Sequence, residues 1–220
     1  MPAARRPIRV IWSACHTGQP QEDYLHTVID QAAAAGVQGV ELSGGAIDRY
    51  LDPRRCPLLA EPRDPAEQQA DQGLLERVSR HAADRGLRFG IWHHEIHGPA
   101  ALLDRIPELK AADGLIDLDS PLLYRLIRDR MAAFVAQYPA VDELVLTMTE
   151  TRFPVFRRPF CAIPVPERVR RLLEALLAAL EPQGKRLVIR PFSAIREDEL
   201  AVKASGINTT RYKLLAFCLS

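Results

Sequence analysis

A chain of 220 residues, 47% hydrophobic and 26% charged, is long enough to bury a core as one globular domain. Its 29 basic and 28 acidic residues nearly cancel, which leaves no electrostatic footprint for nucleic acid or for an anionic membrane surface. No apolar run approaches the roughly 18–20 residues that span a bilayer, and none follows Arg5 and Arg6 as a signal peptide would require. Cys15, Cys56, Cys161 and Cys218 are widely spaced with no CxxC pair. That spacing points to a reducing, cytoplasmic setting and away from a disulfide scaffold or a structural zinc site.

In chain order, strand-like and helix-like segments alternate. Residues 1–7 read as a disordered tail. Ile8 to Ala14 is a short apolar run, the first strand. Glu22 to Ala35 carries apolar residues at helical spacing (Tyr24, Leu25, Val28, Ile29, Ala32, Ala33), and Gly36 is a natural stop. Gly39 to Ser43 is the second strand. Leu74, Leu75, Val78 and Ala82 mark a second helix closed by Gly86, and Leu87 to His93 is the third strand. Ser120 is placed to cap a third long helix with Pro121 at its first position. The stripe of that helix is Leu122, Leu123, Leu126, Ile127, Met131, Phe134 and Val135. Glu143 to Thr149 is the fourth strand. Pro166 opens a helix striped by Val169, Leu172, Leu173, Leu176, Leu177 and Leu180, and Arg186 to Phe192 is the fifth strand. A short helix is expected near Arg196.

Repeated strand–helix alternation predicts a parallel sheet covered by helices. No GxGxxG follows the first strand and there is no Walker A sequence, so the nucleotide-binding open sheets lose ground. Long connections after strands two (44–70), three (95–119) and four (151–165) all lie at strand C-terminal ends, where barrels build active sites. The expected architecture is therefore a partial (β/α)8 barrel of about five parallel strands with outer helices, spanning residues 8–205. Such barrels typically run to about 250 residues. Residues 206–220 continue no recognisable period, which reads as a truncated or frame-shifted end; a natural open five-stranded sheet is the alternative. Unpaired first and fifth strands would favour self-association through the sheet edges.

Each strand leads to a polar group: His16 after the first, Glu41 in the second, His93, His94 and Glu95 at the third, Glu150 at the fourth, Arg190 in the fifth. Side chains at these ends share one mouth in a barrel and could handle protons, a metal or an anionic substrate. Each also has an ordinary structural reading. Glu150 could pair with Arg152 or Arg190, Glu41 could be a buried ion-pair partner, and Glu95 could cap the loop after it. Alternation sends only one of His93 and His94 inward.

The segment GLIDLDSPLLYRLIRDRMAAFVAQYPAVDELVLTMTET, with Tyr138, Pro139, Asp142 and Glu150, resembles the third-helix to fourth-strand region of barrel glycoside hydrolases. GIWHHEIHGP and RLVIRPFS resemble the third and fifth strands of their alpha-glucuronidase-like branch. The likeness runs over roughly residues 8–205. It implies hydrolysis of a glycosidic bond with Glu150 as general acid/base, and needs no cofactor. Glu95 or Glu41 would be the neighbouring carboxylate, and His16, His93, His94 and Arg190 would bind a saccharide. Such enzymes usually draw their second catalytic carboxylate from a later strand, so the isolated chain is expected to be slow or inactive. The alternative enzyme is a metal-dependent sugar isomerase or epimerase. For that reading, AAAAGVQGVELSGG resembles the second-strand entry of xylose-isomerase-like barrels, with Glu150, Glu41 and a histidine holding a divalent metal. A non-catalytic carbohydrate-binding remnant is the third reading.

Overall fold

Five short runs that mix apolar and polar residues pair as strands: β1 (Ile11–Ala14), β2 (Gly39–Leu42), β3 (Arg88–His94), β4 (Glu143–Thr147) and β5 (Arg186–Arg190). Helices α1 (Glu22–Ala34), α2 (Pro65–Asp84), α4 (Pro121–Gln137) and α5 (Val165–Leu180) alternate with them. The short α3 (Leu102–Arg105) lies in the connection after β3. The computed structural model describes residues 11–14, 22–42, 47–60, 62–99, 101–147 and 162–190, with the backbone alone for 11–14 and Arg190. The anticipated tails (1–7 and 206–220), the short helix near Arg196, His16 and Glu150 lie outside these residues.

All pairings are parallel and the strand order is β1-β2-β3-β4-β5. Parallel neighbours joined by right-handed crossovers place successive helices on the same face of the sheet. Accordingly α1 packs on α2 and α4 on α5. The stripes are buried where the spacing predicts: Leu25 and Ile29 in α1, Leu74, Leu75 and Val78 in α2, Met131 and Phe134 in α4, Leu172 and Leu176 in α5. Tyr24 departs from its stripe and is 47% exposed. No helix among the described residues is long and apolar enough to cross a membrane.

Helix ends follow backbone chemistry. Gly36 and Gly86 both adopt φ 71°, a left-handed conformation that a side chain would strain. At each, the next residue's N–H closes on a carbonyl five residues back, Val37 on Ala32 at 3.2 Å and Leu87 on Ala82 at 2.9 Å. That is the Schellman arrangement. The start of α2 lies earlier than the apolar pattern suggests. Asp64 accepts hydrogen bonds from the Ala66 and Glu67 N–H groups, and Pro65 sits in the first turn. Its first two turns are polar and show no stripe, so residues expected in a loop are helical. Ser120 occupies the N-cap position of α4, but its side chain makes no capping hydrogen bond, contrary to its expected role.

The two caps should therefore respond differently to truncation. Asp64→Ala should lower stability by about 1 kcal/mol, and Ser120→Ala should stay within about 0.5 kcal/mol of the parent in urea unfolding. Equal losses at the two positions would contradict these cap assignments.

Candidate functional site

Register fixes which residues share a face. Phe89, Ile91, Leu144 and Leu146 join the apolar core formed with the helices. Glu41, Gly90 and Glu143 are in register across β2, β3 and β4 on the opposite face. A Cβ placed on Gly90 would lie 3.4 Å from the Glu41 Cβ and 3.7 Å from the Glu143 Cβ, so both flank it. Alternation puts Trp92 and His94 on this same inner face. At the C-terminal end of the sheet, His94, Thr147 and Arg190 are in register. This row is the described part of the candidate site, and Glu150 follows Thr147 by three residues in sequence.

Glu41 is buried and inward, but it lies in the Glu143 row. That row is four residues below His94, about 13 Å along the strands at about 3.3 Å per residue. Glu41 thus lies one residue before the end of β2, on the inner face but in a lower register layer than His94. Glu143 in the same layer has Arg88 and Arg186 guanidiniums 3.9 and 3.6 Å from its carboxylate.

His93 and Glu95 point the other way, towards the helices, and both are fully buried. The Arg130 guanidinium from α4 donates to both Glu95 oxygens at 2.5 and 2.6 Å. Arg130 also donates to the His97 carbonyl at 2.7 Å and lies 3.2 Å from Asp48 in the β2–α2 connection. The Ile47 N–H meets His93 Nδ1 at 3.4 Å, which assigns the ring proton to Nε2, where His93 hydrogen-bonds Glu95. The His97 N–H completes the shell of Glu95 at 3.1 Å. Burial would raise the Glu95 pKa, but the Arg130 charge, His93 and these hydrogen bonds outweigh it and hold the carboxyl at about 2. A carboxylate so stabilised and shielded is a structural anion, and neither His93 nor Glu95 reaches the His94 row.

Tyr138 and Asp142 also hold the frame together. The Tyr138 hydroxyl donates to the Tyr50 carbonyl at 2.6 Å, and Asp142 accepts the Phe89 N–H at 2.9 Å. Among the described residues, no three His, Cys, Asp or Glu side chains converge as metal ligands would. The sequence reading missed Arg130, Asp48 and His97. Only Arg130 left a signal, as a charge set between Ile127 and Met131 inside an apolar stripe.

No protein-family model matches this chain, and no curated protein matches it. Solved structures do. A maltogenic alpha-amylase from Thermotoga neapolitana aligns with TM-score 0.57 at 13% identity, covering 86% of this chain and 47% of its own. A GH138 enzyme targeting pectin rhamnogalacturonan II aligns with TM-score 0.56 at 15% identity, covering 84% of this chain and 21% of its own. A GH20 exo beta-N-acetylglucosaminidase from Vibrio harveyi, solved in complex with N-acetylglucosamine, aligns with TM-score 0.54 at 14% identity, covering 84% and 35%. The chain thus spans between about a fifth and a half of these structures. At such identities the likeness concerns the fold: a partial (β/α)8 barrel, shared here with glycoside hydrolases.

The buried ion pair makes a prediction about acid. Because the Glu95 pKa is lowered from 4.5 to about 2, its contribution is complete above about pH 4.5 and is lost as pH falls towards 2. Glu95→Gln should lower stability at neutral pH by roughly 3–5 kcal/mol, since Arg130 loses its closest counter-charge. It should also flatten the loss of stability between about pH 4.5 and 2. Urea unfolding across that range measures both, and an unchanged acid slope would show that Glu95 is not held ionised.

Proposed function

We propose that this chain is part of a carbohydrate-active barrel that hydrolyses a glycosidic bond, with Glu150 as its general acid/base. The observation that carries the reading is the polar row at the C-terminal end of a sequentially ordered parallel sheet, in a fold shared with glycoside hydrolases. Glu150 follows Thr147 of that row by three residues in sequence. The mouth of a barrel is where carboxylates carry out such chemistry. An acid there protonates the leaving oxygen while a second carboxylate attacks the sugar or activates water. Glu95, facing the helices and bound by Arg130, does not suit that second role, which leaves Glu41 on the inner face as the described candidate.

His94, Arg190 and, in sequence just after β1, His16 are proposed to bind sugar hydroxyls or a uronate carboxylate. A guanidinium suits a carboxylate because its fork matches two oxygens. The chemistry requires no cofactor. Among glycoside hydrolases, the alpha-glucuronidase-like branch remains the finer proposal, on its third- and fifth-strand segments. A cytoplasmic location is proposed on cysteine spacing alone, and self-association on the two ends of the sheet.

A panel of aryl glucuronides, aryl glucosides and aryl N-acetylglucosaminides tests the reading. Turnover, however slow, should fall about 10²- to 10⁴-fold in Glu150→Gln with the circular dichroism spectrum unchanged. Equal rates in parent and variant would remove Glu150 from the mechanism. Saccharide binding by calorimetry without turnover would favour a carbohydrate-binding module. Stoichiometric manganese or zinc in the purified protein would favour the isomerase chemistry.

A further inference from the structure

Arg130 takes no part in the acid/base chemistry above, yet its partners come from the two connections that border the candidate mouth. Asp48 belongs to the β2–α2 connection, and Glu95 and the His97 carbonyl belong to the segment that leaves β3. The Arg130 side chain has no solvent exposure, and Asp48 is only 10% exposed at its side chain. A guanidinium in that setting is satisfied only while both segments are in place around it. Without it, two carboxylates would face each other in the interior and would separate or take up protons.

The consequence reaches the inner face through the strand itself. His93 and Glu95 are held by side-chain bonds on the helix side, one on each side of His94 in sequence. Fixing residues 93 and 95 fixes the direction in which residue 94 leaves the backbone. We propose that Arg130 is a positioning residue for the mouth: it holds His94 on the inner face and locks the β2–α2 connection beside β3. The inference rests on the proposed function only for the chemistry that His94 would serve.

The full chain can be tested by histidine-selective NMR, with the His94 ring signals assigned through His94→Gln. In Arg130→Met the His94 signals and their titration midpoint should move, and kcat should fall about 100-fold with KM nearly constant. Arg130→Lys keeps the charge without the fork and should recover only part of both effects. Asp48→Asn leaves the Arg130–Glu95 pair intact and should speed hydrogen exchange at Tyr50 and Leu51, whose N–H groups bond to the Ile47 carbonyl. A lowered melting temperature with an unchanged His94 spectrum and titration in Arg130→Met would reduce Arg130 to a structural role and overturn the proposal. Should Arg130→Met fail to fold, an unchanged His94 spectrum in both Asp48→Asn and Glu95→Gln would overturn it equally, and a moved one would support it. If the parent chain neither hydrolyses an aryl glycoside nor binds a saccharide, the proposed function fails while the NMR comparison still decides the positioning role.

Discussion

A guanidinium removed from water must be met by opposite charge and by acceptors on several sides, or the helix that carries it cannot stay packed. Arg130 is such a group, and its partners span sequence positions 48, 95 and 97. The same helix holds the β2–α2 connection a second time, two turns further on. Gln137 accepts the Asp52 N–H at 3.0 Å and donates to the Tyr50 carbonyl at 3.1 Å, where the Tyr138 hydroxyl also donates. Residues 130 and 137 are seven apart and so lie on one face of α4. One helix face thus fixes residues 47–52 at two points. The rigidity of that connection comes from α4, which packs on the next unit, more than from its own short 3-10 turn at Ile47–Arg49.

The sheet divides the labour between its faces. On the helix side, apolar residues of β2, β3 and β4 are buried against leucine stripes, with the Arg130 network as the polar inclusion at the strand ends. Val145 is almost fully buried yet stands outside that core, in keeping with its place on the inner face. At the lower edge, Asp142 binds the β3 and β4 backbones to each other by accepting from the Phe89 N–H, while its own N–H donates to the Phe89 carbonyl at 2.8 Å. Its carbonyl accepts the Arg186 N–H at 2.9 Å, which also sets β5 in register. The site row at the top inherits its alignment from these backbone constraints at the bottom.

Strand order, helix stripes and glycine stops were legible because each depends on local periodicity or on one residue's conformational freedom. The Gly86 stop is an example, since its left-handed turn follows from chain chemistry alone. Early α2 was illegible because Glu67, Gln68, Gln69 and Asp71 give no apolar rhythm, and only the Asp64–Pro65 pair marks the start. Side-chain orientation at the strand ends was less legible. Alternation required His93 and His94 to part, but which one faces inward depends on register with β4. The burial of Glu95 depends on Arg130 thirty-five residues away, and no local pattern announces a long-range ion pair. Glu150 and His16 lie outside the described residues, so their reading still rests on sequence.

Depth along the strands separates two polar layers on the inner face. In the lower layer, Gly90 contributes no side chain, and a methyl there would sit 3.4 Å from both the Glu41 Cβ and the Val145 Cγ2. The glycine therefore keeps the space between the Glu41 and Glu143 Cβ atoms free of a third side chain. Glu143 is answered by Arg88 and Arg186 at the strand starts, at the bottom of the sheet. Those two guanidiniums are partly exposed, and their attraction is screened more than that of Arg130. Four residues higher, the row of His94, Thr147 and Arg190 carries imidazole, hydroxyl and guanidinium, with no carboxylate of its own. That composition is what the proposed saccharide site rests on.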